Sequence, residues 1–299
     1  MIFLNDKHEL RPGWKFAAYV AFFLLIAVAT AAAVSMMFPN VENQLVLLAI
    51  NEIALFVPAF AAMWLTVRFV DHRPLRTFGI GFLPRWRRDL LFGLGIAAGM
   101  LAVLIGGCYL LGYVSIHWTG GQVPAATLLA TFSLLLVAAL NEELVFRGLP
   151  LQLLVEGMGE WPAMIALSVV FGAMHMNNPN SSRLGTLNTA VAGILLSLAY
   201  VRTRSLWLPY AIHIGWNAGL GFVLGFPLSG IDIASLWTTG TAGSDTILGG
   251  DYGPEGGLLA TFIFAASAVI VEKNATVNPT QATAGGRTRW HHRNRAGDS

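Results

Sequence analysis

Charge is scarce in this sequence. Of its 299 residues, 18 are Lys or Arg and 16 are Asp or Glu, so 11% are charged while 55% are hydrophobic. A soluble globular domain carries about 25% charged residues, and this composition excludes an ordinary soluble fold. Cysteine is nearly absent as well. Cys108 stands alone inside an apolar stretch, so no intrachain disulfide can form and helix packing must hold the chain together. The net charge of +2 is small and comes partly from a basic carboxy-terminal tail, so it gives no argument for a nucleic-acid partner. No repeat of solenoid period is present either.

What the chain has in abundance is apolar runs. Eight can be marked: Phe16 to Phe38, Leu45 to Val70, Leu90 to Val114, Ala125 to Glu143, Trp161 to Met176, Thr186 to Val201, Leu206 to Gly225 and Gly257 to Val271. About 20 apolar residues cross the ~30 Å hydrocarbon layer as a helix, so the pattern predicts an all-α integral membrane protein, a bundle of about eight transmembrane helices. The fifth, sixth and eighth runs are short for that task. The first is longer than the ~7–15 apolar residues of a signal peptide, which predicts a retained helix rather than a cleaved leader. The organisation expected is an amino-terminal arm over 1–15, a transmembrane domain over 16–273 and a tail over 274–299. That tail is rich in Thr, Ala, Gly, Arg and His and too poor in large apolar residues to build a core, so it is read as a disordered cytoplasmic segment.

Basic residues set the expected orientation, because cytoplasmic connections hold an excess of Lys and Arg. Lys7, Arg11 and Lys15 precede the first run, and Arg68, Arg73, Arg76, Arg85, Arg87 and Arg88 follow the second. Arg202 and Arg204 follow the sixth, and Lys273, Arg287, Arg289, Arg293 and Arg295 lie in or beside the tail. Sixteen of the 18 basic residues thus fall on alternate connections, which predicts both termini on the cytoplasmic side and an even number of spans. Gly95/Gly99, Gly215/Gly219 and Gly221/Gly225 have the spacing that permits close helix contact, although 32 glycines supply some such pairs by chance.

The fourth run ends in Asn141-Glu142-Glu143-Leu144-Val145-Phe146-Arg147-Gly148. Two carboxylates beside an apolar run are costly and need partners. Glu143 and Arg147 stand at i and i+4 on a helix and share a face, which predicts an ion pair. Glu142 lies about 100° round the helix and cannot use that arginine in the same way. The two glutamates therefore have separate tasks: Glu143 is held, and Glu142 is free to face a cavity and act as a general base. The alternative is that both simply sit in the headgroup region beside Arg147. Phe171-Gly172-Ala173-Met174-His175 and His213-Ile214-Gly215-Trp216-Asn217 add two histidines and an asparagine on other apolar runs. Each alone reads more readily as an interhelical hydrogen-bonder, but polar groups avoid lipid, and the set should converge on a common interior. Asn51 and Glu52, followed by Pro58, form a local polar patch or line the same cavity.

Glu142-Glu143-x-x-Phe146-Arg147, Phe171-x-x-x-His175 and His213-x-x-x-Asn217 together resemble the three-motif signature of the CPBP family of intramembrane proteases. That family includes CAAX prenyl endopeptidases and the bacteriocin-processing and immunity proteins called Abi. The resemblance covers about Ala125 to Asn217, roughly a third of the chain, and makes about 125–225 the family-like core, with its active site in the helix interior. It implies peptide-bond hydrolysis in a membrane-associated protein or peptide, in a lipid bilayer, with a bacterial plasma membrane as the expected location.

On that resemblance Glu142 activates a water, His175 holds the water and shuttles its proton, and His213 with Asn217 forms the oxyanion hole. Glu143 and Arg147 support the helix end, and Phe171 packs. If a metal is used, Glu142, His175 and His213 are the candidate ligands for zinc. Neither His-Glu-x-x-His nor a cysteine set is present, and asparagine is a poor zinc ligand, which favours a metal-independent route with no cofactor. Two other readings remain open, a proton- or ion-coupled transporter and a non-catalytic scaffold or immunity protein of the same fold. A geometric condition also follows. At ~1.5 Å per residue, His213 and His175 lie at different depths, so the fifth helix must begin earlier than Trp161, near Leu151, for the two histidines to meet.

Overall fold

The computed structural model describes residues 2–275 except 6, 7, 83 and 120, and of residue 44 only the backbone. The expected tail, 276–299, lies outside the described residues, as does Lys7. Ten helices occur among the described residues. Helix α1 (Pro12–Met37) starts with proline in its first turn, where the missing N–H costs nothing. Helix α2 (Gln44–Thr66) is capped by the Asn43 side chain, which accepts from Leu45 N at 3.0 Å and Val46 N at 3.1 Å, and it runs on as a π-helical turn to Asp71. Then come α3 (Trp86–Leu110), β1 (Val114–Trp118), α4 (Ala125–Phe146), α5 (Gly148–Met158), α6 (Glu160–Met174) and α7 (Arg183–Thr203). Helix α8 (Trp207–Asn217) extends as a π-helical turn to Val223 and is followed by β2 (Trp237–Thr241), the short α9 (Asp245–Leu248) and α10 (Leu258–Asn274).

Every one of the eight apolar runs is helical, but the structure does not carry a count of eight spans. Among the described residues five helical stretches are long and apolar enough to cross a membrane: Pro12–Met37, Leu45–Asp71, Trp86–Leu110, Ala125–Met158 and Arg183–Thr203. The shortfall is one of length, since α6 has 15 residues, α8 has 11 and α10 has 17. The fourth stretch is itself two helices. Gly148 takes a left-handed φ of +50° directly after Arg147 and ends α4 there. A Cβ at Gly148 would lie 3.5 Å from Phe78 O, whereas one at Gly157 would lie 3.7 Å from Pro12, so α5 runs from the α2–α3 connection to the start of α1. It lies across one end of the bundle rather than extending α4.

That end gathers the charged groups. Lys15 pairs with Asp71 at 2.7 Å, Arg73 joins Asp71 and Glu156 at 2.6 Å each, and Arg202 bridges Glu160 and Glu272 at 3.0 and 2.8 Å. Burial works against the Arg73 charge, but the two carboxylates outweigh it and hold the guanidinium above the usual arginine range. Beside this end Phe82, Trp86 and Trp207 pack ring on ring at 5.0–5.2 Å, the kind of aromatic cluster that suits a membrane interface. At the other end β1 and β2 form a two-stranded antiparallel ribbon, Val114 opposite Thr241 and Trp118 opposite Trp237, which ties the α3–α4 connection to the segment after α8. It is a small departure from an all-helical reading.

Glycine sets the closest helix contacts. Across α3 and α8, a Cβ at Gly93 would lie 2.6 Å from Ala211 Cβ and one at Gly215 2.7 Å from Ala97 Cβ. Between α6 and α7, a Cβ at Gly172 would lie 2.8 Å from Thr186 O and one at Gly193 3.0 Å from Ser168 Cβ. Without side chains these backbones approach closely, which replaces the hydrophobic driving force that lipid does not provide. Of the pairs noted in sequence, Gly215/Gly219 lies in the α3 contact, Gly219 against Leu101, while Gly95 and Gly99 meet nothing within 4 Å. Leu24, Leu25, Val28, Phe60 and Val103 turn outward on the bundle surface, as lipid-facing positions do.

Candidate active site

The carboxy-terminal turns of α4, the end of α6 and the middle of α8 open onto one cavity of about 490 Å³. Glu52, Glu142, His175, His213, Asn217 and Glu255 stand in its wall. The predicted pair is present: Arg147 Nη1 donates to Glu143 Oε1 at 3.1 Å, with both side chains all but fully buried. Arg147 Nη2 donates to Gly193 O on α7 at 3.2 Å.

Glu143 has a second partner that the sequence did not reveal. Its Oε1 also receives His213 Nδ1 at 2.9 Å, across 70 residues of sequence. A carboxylate on Nδ1 holds the proton on that nitrogen and turns Nε2 towards the cavity. There Nε2 stands 3.8 Å from Glu142 Oε2, too far for a direct hydrogen bond but close enough to be joined through one water. Oε2 is buried without a hydrogen-bond partner, while the Glu142 side chain as a whole is 25% exposed. Glu142 and Glu143, adjacent in sequence, thus approach opposite nitrogens of one imidazole.

Phe171 packs among these groups. Its ring lies under the Arg147 guanidinium at 4.7 Å, edge-on to His213 at 6.4 Å and against His175 at 4.8 Å. Cation–π and ring contacts of this kind fix orientation as well as fill space. The condition that α6 begin near Leu151 is not met: residues 148–158 form the separate helix α5, and α6 starts at Glu160 after Gly159, whose φ is +92°. Both histidines nevertheless line the one cavity, with the Phe171 ring in contact with each. His175 sits in the turn that ends α6 with Nδ1 2.8 Å from Phe171 O, so its Nε2 is the nitrogen left for the cavity. Asn217 follows His213 by one helical turn on the same wall of α8.

Two residues of the site were missed or undervalued in sequence. Glu52 on α2, in sequence either part of a local polar patch or a cavity residue, lines the cavity. Asn141 Nδ2 donates to Glu52 Oε2 at 2.8 Å and to Glu52 O at 3.0 Å, so the residue just before Glu142 ties α4 to α2. Its signal was an ionisable group in mid-run. Glu255, just before α10, accepts from Trp216 Nε1 at 2.9 Å and from Ser229 N and Oγ at 2.7 Å each. A carboxylate in Gly253-Pro254-Glu255-Gly256 carries no periodic signal.

The candidate zinc set is not brought together. Among the described residues no three His, Cys, Asp or Glu side chains converge as a metal-binding group. Glu142, His175 and His213 all line the cavity but, as placed, do not form such a group.

Residues 124–219 match the family model described as Rce1-like, type II CAAX prenyl endopeptidase. The matched stretch begins beside Ala125 and ends just past Asn217, taking in all three motifs, and it supports the CPBP/CAAX protease family. No curated protein matches the chain.

Proposed function

Taking the chain as a protein of the CPBP/CAAX protease family, we propose that it is an intramembrane endopeptidase that hydrolyses a peptide bond in a membrane-associated protein or peptide. The observation that supports this most is the Glu142–His213–Glu143–Arg147 arrangement at the cavity wall. A base with an unpartnered oxygen faces an imidazole whose other nitrogen is fixed by a buried ion pair.

In this reading a water held between Glu142 and His213 Nε2 attacks the substrate carbonyl as Glu142 takes its proton. The proton passes to His213 Nε2, which becomes a donor to the developing oxyanion and then to the leaving amine. Asn217 Nδ2 is a permanent donor to the same oxyanion, and one such donor is worth about 3–4 kcal/mol. His175 Nε2 orients the water or the substrate. Glu143, Arg147 and Phe171 position His213 without touching substrate. The charged end of the bundle, with its Arg and Lys excess, faces the cytoplasm, and both termini lie on that side.

The test is cleavage of prenylated and unprenylated membrane-anchored peptides by the purified protein in lipid nanodiscs, followed by mass spectrometry. Hydrolysis by the native chain and its loss in His213→Ala support the proposal. No cleavage of any anchored peptide, or undiminished cleavage by His213→Ala, contradicts it.

A further inference from the structure

The cavity wall is unbalanced in charge. Glu142, Glu52 and Glu255 stand around it and the exposed Asp232 stands at its rim, on α4, α2, the turn before α10 and the segment after α8. Among the described residues no lysine or arginine faces it; His175 and His213 are the basic groups present. Arg147 is buried against Phe171 and bonded to Glu143 and Gly193. Glu52 and Glu255 take only neutral donors: an amide from Asn141, an indole N–H from Trp216, and a hydroxyl and backbone N–H from Ser229. These hydrogen bonds hold carboxylates in place without cancelling charge, and low-dielectric walls concentrate the field that remains.

A second feature points to a ligand in the same space. Thr131 is 3% exposed, lines the cavity three helical turns from Glu142, and leaves its hydroxyl without a hydrogen-bond partner. Buried polar groups of native proteins are almost always paired, so an orphan on a cavity wall marks a place where a bound molecule supplies the partner. Between Thr131 and the glutamates the wall is apolar, with Leu134, Leu135 and Ala138 on α4 and Leu48 on α2.

We infer that this cavity selects a substrate segment carrying a cationic side chain or amine beside an apolar stretch, with Glu52 as the principal specificity carboxylate and Asp232 guiding entry. The inference rests on the endopeptidase reading above for the word substrate, but its physical content is binding. A peptide whose carboxylate has to enter meets the same field with the opposite sign and is disfavoured.

Three membrane-anchored peptides, identical except for Lys, Gln or Glu at one position, are titrated by fluorescence anisotropy against the protein in phosphatidylcholine nanodiscs, whose net neutrality removes attraction to the lipid. The Lys peptide is expected to bind at least tenfold more tightly than the Glu peptide, and Glu52→Gln, which can still accept from Asn141, is expected to shrink that ratio several-fold. Asp232→Asn, on the exposed rim where folding is not at stake, lowers the ratio less. Equal affinities, a preference for Glu, or a Lys preference untouched by both substitutions would overturn the inference. Cleavage of the same peptides is followed in parallel. A Lys preference without hydrolysis sinks the endopeptidase reading alone, and hydrolysis without a Lys preference sinks this inference alone.

Discussion

His213 Nδ1 and Arg147 Nη1 meet at the same atom, Glu143 Oε1, at 2.9 and 3.1 Å. Glu143 is therefore a junction: it closes the last turn of α4 through Arg147 and fixes α8 through His213. Breaking a buried pair by removing one partner costs about 3–5 kcal/mol, because the remaining charge is stranded. Glu143→Ala should lose about that much stability in reversible unfolding, together with its activity. The double variant Glu143→Leu with Arg147→Met should recover part of the stability and none of the activity, since His213 then has no acceptor at Nδ1 and stays unfixed. Recovery of both would show that Glu143 serves the fold only.

Asn141 is the link between α4 and α2 at the level of Glu142. Glu52 is half-buried, and losing a donor to it costs about 1 kcal/mol. Asn141→Leu is expected to lower stability by that amount and to reduce kcat more than it raises KM, because Glu142 shifts with the helix turn that carries it. Steady-state kinetics on an anchored peptide, alongside thermal unfolding, separates the two effects. A pure KM effect would place Asn141 in substrate binding instead.

Much of this arrangement could be read from the chain alone, and the parts that could not share a cause. The Glu143–Arg147 pair followed from i, i+4 spacing, and the different orientation of Glu142 followed from the 100° step between neighbours. The eight apolar runs were all helical because local hydrophobicity is enough to specify that. What was hidden lies between residues far apart in sequence. His213 joins Glu143 across 70 residues, and Asn141 joins Glu52 across 89. The break at Arg147 and Gly148 was hidden too, since the chain continues through it into the apolar α5; Arg147 at φ −113° and ψ −149° and Gly148 at φ +50° separate the two helices. The common cavity of His175 and His213 was hidden as well, since it depends on how α6 and α8 pack, with Phe171 in contact with both rings.

The glycines give a paired control. A Cβ at Gly93 would lie 2.6 Å from Ala211 Cβ and 2.8 Å from Leu208 O, whereas one at Gly95 meets nothing. Gly93→Ala should destabilise by about 1–3 kcal/mol through overpacking of α3 on α8. Gly95→Ala should be neutral or stabilise by up to about 1 kcal/mol, as alanine favours a helix. Thermal unfolding of the two variants in the same detergent checks the contrast, and equal shifts would mean that the α3–α8 contact is not as described.

Phe171 touches Arg147, His175 and His213 but no proton in the proposed reaction. Phe171→Leu keeps apolar bulk and loses the ring contacts, each worth about 0.5–2 kcal/mol. A modest loss of stability is expected with a roughly ten- to hundredfold fall in kcat, on the scale by which a small misplacement of reacting groups slows a reaction. Phe171→Tyr, which keeps the ring, should restore most of the rate. Failure of the ring to rescue would reduce Phe171 to space filling.

The central claim is that Glu142, and not its neighbour, activates the water. Glu142→Gln keeps size and shape, removes the base, and leaves the Glu143–Arg147–His213 junction intact. Single-turnover cleavage of an anchored peptide should fall by about 10²–10⁴-fold, the range a general base contributes, with peptide affinity and unfolding temperature little changed. Cleavage by Glu142→Gln at close to the native rate would contradict the account.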